Sequence, residues 1–260
     1  MKKLLVITLV LAIVLSLAAC EKTEDPAKKS EGVMTYAQYA AAALDSEVTV
    51  ETYVQAKQSW WEKEGVGGVG TFYTQDSEGG YFLYEMPCSK EDYDKLVKGT
   101  KIKVTGKKSE WSGEVEIIDA QFVIEDGKYE APAVDITSLI GKDELAAKMN
   151  MFINIKGATV EAIGQDEEGN DAAFFYKWNG AGSEGDDLYF KINANGVSFT
   201  VTVESYLCGK DTDVYKAVKA LKVGDKIDIE GFLYWYEGAQ PHVTSVKAAV
   251  NAAASDTAAG

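Results

Sequence analysis

One short unit occurs twice in this chain, and that duplication limits the possible folds more than any other feature. Leu96-Val97-Lys98-Gly99-Thr100-Lys101-Ile102-Lys103-Val104-Thr105-Gly106 aligns with Leu221-Lys222-Val223-Gly224-Asp225-Lys226-Ile227-Asp228-Ile229-Glu230-Gly231. Each copy ends a helical stretch on leucine, turns at a glycine, alternates Ile/Val with polar residues as a half-buried strand does, and reaches a second glycine. A tryptophan follows in both, Trp111 and Trp235. Upstream, Val48-Thr49-Val50-Glu51 corresponds to Ile153-Asn154-Ile155-Lys156, each behind an alanine-containing helical stretch, Tyr39 to Leu44 and Leu145 to Met149. Cys88 and Cys208 fall at the same place, just before the helical stretches Ser89 to Leu96 and Asp211 to Leu221.

Each copy reads strand, strand, strand, short helix, strand, strand. The first gives strands at Val48 to Ser59, Gly70 to Gln75, Tyr81 to Met86, Thr100 to Ser109 and Glu114 to Ile124. The second gives Phe152 to Ile163, Leu188 to Asn193, Val197 to Glu204, Lys226 to Tyr236 and Val243 to Ala249, with insertions in the acidic, glycine-rich stretch Gly164 to Asp187. Five strands with a helix between the third and fourth resemble the oligonucleotide/oligosaccharide-binding (OB) fold. The whole pattern is similar to uncharacterised bacterial lipoproteins with tandem OB-like domains. The expected fold class is all-β with short helices, as two tandem five-stranded OB-like barrels. Expected boundaries are a lipoprotein signal peptide over 1–20, a flexible tether over 21–34, a first domain over 35–125, a linker over 126–142, a second domain over 143–250 and a disordered tail over 251–260.

The N-terminus sets an expected address. Lys2 and Lys3 precede the apolar run Leu4 to Leu15, and Leu17-Ala18-Ala19-Cys20 resembles a bacterial lipobox. That resemblance implies cleavage before Cys20, acylation of its thiol by a fatty acid such as palmitate, and display at the cell surface on the extracytoplasmic side of the membrane. Glu21 to Gly32 is too polar to bury a core and reads as a tether.

Composition excludes several chemistries. The chain carries 26 basic residues, every one a lysine, against 41 acidic ones, for a formal net charge of -15. Arginine is the usual bidentate partner of phosphate and guanine, so its absence from an acidic chain disfavours nucleic acid as a partner. A single histidine, His242, sits in an alternating strand and reads as a strand residue. No zinc, nucleophile-elbow or phosphate-loop motif is present. No enzymatic activity, cofactor or metal is expected, although carboxylates such as Glu62, Glu114 and Glu116 leave a hydrolase as a distant third reading. Asp166 to Asp171 offers oxygen ligands of the kind calcium takes but lacks the EF-hand spacing, and reads as a solvated loop.

OB folds bind ligands on strands two and three and on the loops that join strands one and two, and four and five. Trp60, Trp61 and Trp111 in the first copy, and Trp178, Tyr234, Trp235 and Tyr236 in the second, fall at those loops. Aromatic faces there suit stacking of bases or sugar rings, while for any one tryptophan packing of a barrel end or of one domain on the other is the first reading. Lys95, Lys98, Lys101, Lys103, Lys107 and Lys108 form the one basic cluster, which also reads as a solvated strand face. The leading expectation is a non-enzymatic binding or adaptor lipoprotein for a glycan, peptide or protein. The alternative is a single-stranded nucleic-acid-binding lipoprotein.

Overall fold

A computed structural model describes residues 25–249. The expected signal segment with Cys20, the start of the tether and the tail lie outside them. Among the described residues no helix is long and apolar enough to cross a membrane.

The first half contains α1 (Tyr36–Ala41), β1 (Glu47–Lys57), β2 (Trp61–Lys63), β3 (Gly67–Gln75), β4 (Gly80–Pro87), α2 (Lys90–Lys95), β5 (Thr100–Trp111) and β6 (Glu114–Lys128). The second contains β7 (Val134–Asp135), two 3-10 turns (Thr137–Leu139 and Asp143–Lys148), β8 (Phe152–Glu161), β9 (Gly164–Gln165), β10 (Asp171–Ala172), β11 (Phe174–Tyr176), β12 (Leu188–Ala194), β13 (Val197–Val203), α3 (Asp213–Lys219), β14 (Lys226–Phe232) and β15 (His242–Ala248).

Hydrogen bonding closes both sheets. β1 pairs antiparallel with β3 and β5, β3 with β4, β5 with β6, and β4 runs parallel to β6. β8, β12, β13, β14 and β15 repeat the same ring, including the parallel contact of third and fifth strands at Thr202 and His242. A helix between the third and fourth strands and a parallel 3–5 contact define the OB-like barrel, which this chain forms twice in tandem.

The duplicated unit has a structural reason. Gly99 and Gly224 turn the chain at φ +88° and +94°, a region L side chains avoid, so each helix can feed its fourth strand. Gly106 and Gly231 sit where that strand shifts register against the fifth. A Cβ on Gly231 would lie 2.2 Å from the His242 carbonyl oxygen, and one on Gly106 would lie 2.7 Å from Ile117 Cγ2 and 2.9 Å from the Ile118 carbonyl oxygen. Both helices start at a hydroxyl cap, Ser89 to the Asp92 amide and Thr212 to the Tyr215 amide.

Each barrel has its own apolar interior. Val48, Val50, Phe72, Leu83, Ile102, Val104 and Ile117 fill the first. Ile153, Ile155, Phe190, Ile192, Val201, Ile227 and Val243 fill the second, closed at one end by Val214, Tyr215 and Val218 of α3. Residues 25–34, which composition assigns to the tether, carry specific contacts. Lys29 donates to Asp76 at 2.6 Å with both side chains buried, and Met34 bridges to Val50. Between the barrels, in the stretch read as a linker, β7 adds to β8 and the chain then coils into the 3-10 turns.

Candidate functional site

The ligand side of an OB barrel is the outward face of its second and third strands. In the first barrel that face carries Tyr73 on β3 and Phe82 on β4, and it is covered by the second barrel. Tyr73 stacks on Phe232 with ring centroids 4.4 Å apart, and its hydroxyl lies 2.6 Å from His242 Nδ1. Tyr234 stacks on the opposite part of the junction over the His242 ring at 4.2 Å and meets Phe82 edge-on at 5.5 Å. Burial holds His242 neutral by lowering its pKa to about 3, and in the tautomer protonated at Nε2 its Nδ1 accepts from the Tyr73 hydroxyl. The strand role expected for His242 thus includes joining the two barrels.

Polar contacts seal the same junction. The Phe152 amide donates to Gln75 Oε1 at 2.7 Å, the Trp235 amide to Glu114 Oε2 at 2.8 Å and the Asn150 side-chain amide to the Val115 carbonyl at 2.9 Å. The two four-five loops touch through the Glu237 amide and the Ser112 carbonyl, and the Ser59 amide reaches the Tyr206 carbonyl. Gly80 permits this approach, because a Cβ there would lie 2.3 Å from the Asn150 carbonyl carbon and oxygen. Glu114 has its pKa raised to about 8 and Glu204 to about 8, both mainly by burial; Glu116 is raised to about 7 by burial and by Glu85.

The seven aromatic candidates therefore separate into two groups. Trp60 is half-buried, its indole N–H donating to the Cys88 carbonyl at 3.1 Å, while Tyr234 and Trp235 are half-buried at the junction. Trp61, Trp111, Trp178 and Tyr236 are exposed, Trp178 most of all at 75%. Trp111 and Tyr236, one from each four-five loop, form a tilted pair with centroids 5.3 Å apart, which makes a single aromatic ridge across both barrels. Tyr206, also exposed, escapes a reading of the sequence because it lies in the turn before α3, where no OB loop rule points.

Of the basic cluster, Lys101 and Lys108 are taken up by the fold, Lys95, Lys98 and Lys107 pair at the surface, and Lys103 is half-buried on β5. Lys108 is buried and donates to the carbonyls of Tyr39, Ala40 and Ala42, closing the C-terminal end of α1. Lys101 is buried between Glu51 and Glu125, Lys98 pairs with Glu130, Lys107 with Asp45, and Lys95 with Glu91 and Asp92. Each pairing cancels charge that phosphate would need.

Cys88 and Cys208 are free, buried thiols, each pushed up to about 11 by burial. The Asp166 carboxylate is spent on the amides of Glu168 and Asn170 in its own loop. Among the described residues no three His, Cys, Asp or Glu side chains are grouped to hold a metal ion.

No protein-family model and no curated protein matches the chain. Solved structures do. A murine DNA-binding protein bound to double-stranded DNA is 15% identical, with 78% of this chain and 96% of that one covered and a TM-score of 0.35. A HINa domain in complex with 20 bp double-stranded DNA is 14% identical, with 79% and 100% covered and a TM-score of 0.34. A single-stranded DNA-binding protein from Thermus aquaticus is 13% identical, with 78% and 94% covered and a TM-score of 0.27. The expected glycan, peptide or protein adaptor is corrected: the first barrel's face, on which it depends, is closed by the second barrel through Tyr73, Phe82, Phe232 and Tyr234.

Proposed function

We propose that the chain is a non-enzymatic, single-stranded nucleic-acid-binding module that holds unpaired bases by stacking, with little neutralisation of phosphate. The observation that carries this reading is the exposed Trp111–Tyr236 ridge, built from the loops an OB fold uses for ligands and continuous across both barrels. Stacking on an aromatic face is tolerant of sequence and needs no arginine. The outward face of the second barrel extends the surface with Tyr189, Lys191 and Asn193 on β12 beside Ser198 and Thr200 on β13, side chains that hydrogen-bond base edges.

The acidic surface and the paired lysines make a distinctive expectation. Binding to homopolymer oligonucleotides of about 20 nucleotides should depend only weakly on salt, as for a release of roughly one or two counterions. Trp111→Ala and Tyr236→Ala should each weaken it by about 1–3 kcal/mol, the usual worth of one stacked base. Fluorescence anisotropy with labelled oligo-dT and oligo-dA checks both. No binding at low salt to either polymer, or affinity unchanged in both variants, would overturn the reading. We also propose that acylated Cys20 holds the protein on the outer side of the membrane; metabolic labelling with a palmitate analogue, lost in Cys20→Ser, is the test.

A further inference from the structure

The closed junction contains more buried acid than buried base. Glu114 has one carboxyl oxygen on the Trp235 amide and the other without a partner, and Glu204 has Oε2 without one; the nearby Asn150 Oδ1 and Thr202 Oγ1 are also unpartnered. Around Glu114 stand the Asn150 side-chain amide as a donor, Glu116 on its own strand, Tyr39 of α1, Tyr73 of β3 and Tyr234 of the second barrel. Around Glu204 stand Asp187, Tyr189, Cys208, Tyr73 and Tyr234, with Gln58 and the amides of Tyr206 and Leu207 as donors. Glu85 and Tyr84 face Glu116, and Lys63, the ammonium beside them, is already paired with Glu85. None of the groups acting most strongly on Glu114 or Glu204 is a lysine.

We propose that this junction is a proton-dependent clamp: while Glu114 and Glu204 are protonated the barrels stay closed face to face, and their ionisation opens the seam and uncovers Tyr73, Phe82 and Tyr234. A neutral carboxyl tolerates this buried setting, whereas a carboxylate there is a charge held by neutral donors and faced by other acids, with no lysine among the groups acting most strongly on it. Opening returns both carboxyls to water. The clamp weakens as pH rises from the ordinary carboxyl range towards about 8, by up to about tenfold per pH unit for each group that loses its proton. It weakens at the other extreme through His242, which burial keeps neutral and which would gain a buried charge in acid.

Hydrogen exchange of the purified full chain at pH 5.5 and 8.5, corrected for intrinsic rates, tests the clamp, with small-angle scattering on the same samples. Amides of residues 232–236 should lose about tenfold or more in protection at the higher pH. Those of 153–155 and 227–229, inside the second barrel, should keep theirs, and the radius of gyration should grow. A Glu114→Gln/Glu204→Gln variant should stay closed at both values, and Glu204→Gln alone serves if the double variant loses its circular dichroism. Equal protection and radius at the two pH values in the wild type, or a variant that opens just as the wild type does, would overturn the clamp.

Discussion

At the scale of single residues, the fold depends on a few side chains whose roles differ from their residue class. Lys29 is a lysine near the start of the described chain, yet it is buried against Asp76, which also accepts from the Tyr81 hydroxyl and the Glu78 and Gly79 amides. Lys29→Met should cost about 3–5 kcal/mol in urea denaturation, because it leaves a buried carboxylate without its counter-charge. Lys108→Ala should cost about 1–3 kcal/mol by orphaning two carbonyls of α1 and that of its capping residue Ala42, while oligonucleotide affinity stays unchanged. Gly231→Ala should lower the denaturant midpoint more than Gly224→Ala. The first drives a methyl group into the β15 backbone, whereas at Gly224 nothing lies within 4 Å and only the left-handed backbone is strained. Neither lysine announces itself in the sequence, where both sit in polar surroundings.

At the scale of elements, alternation and glycine placement make most of the strands legible in the sequence alone. Predicted strands at Leu188 to Asn193 and Val197 to Glu204 stand within a residue of β12 and β13. The repeat itself is legible because two steric demands, a left-handed turn into the fourth strand and a backbone contact at its register shift, admit glycine alone. Strand β3 is harder to interpret. Gly-Val-Gly-Thr-Phe-Tyr-Thr-Gln mixes polar and apolar residues on both faces, yet Val69 to Gln75 is buried throughout, since its outer face meets the other barrel. Nothing local in a sequence distinguishes an outward face that meets water from one that meets a partner sheet. The same blindness leaves Tyr234 and Trp235 open between a ligand mouth and packing, and reads the lysines of β5 as a basic cluster or a solvated face where two of them are buried.

At the scale of the whole molecule, stability should trace an asymmetric curve against pH. Glu114, Glu116 and Glu204 have folded-state values raised to about 8, 7 and 8, so the stability they contribute is complete below the ordinary carboxyl range and is lost as pH rises through those values. His242 is lowered to about 3, so its contribution is present above the ordinary imidazole value and is lost as pH falls towards about 3. Thermal denaturation should therefore show its highest midpoint in mild acid and decline on both sides. Tyr73→Phe should lower stability by about 1 kcal/mol beside native His242 and be nearly neutral beside His242→Phe, a coupling a double-mutant cycle measures. The junction also sets what the molecule offers outside. With the first barrel's face closed, the stacking surface is confined to the four-five loops and the second barrel.

Cys88 and Cys208 occupy matching positions, one behind the third strand of each barrel, and both are hidden with poorly ionised thiols. Alkylating reagents act on thiolates, so neither sulfur should react until its own barrel comes apart. The chain thereby carries a separate chemical clock in each half. Pulses of iodoacetamide during unfolding, read by mass, would show whether the halves fall in sequence or together.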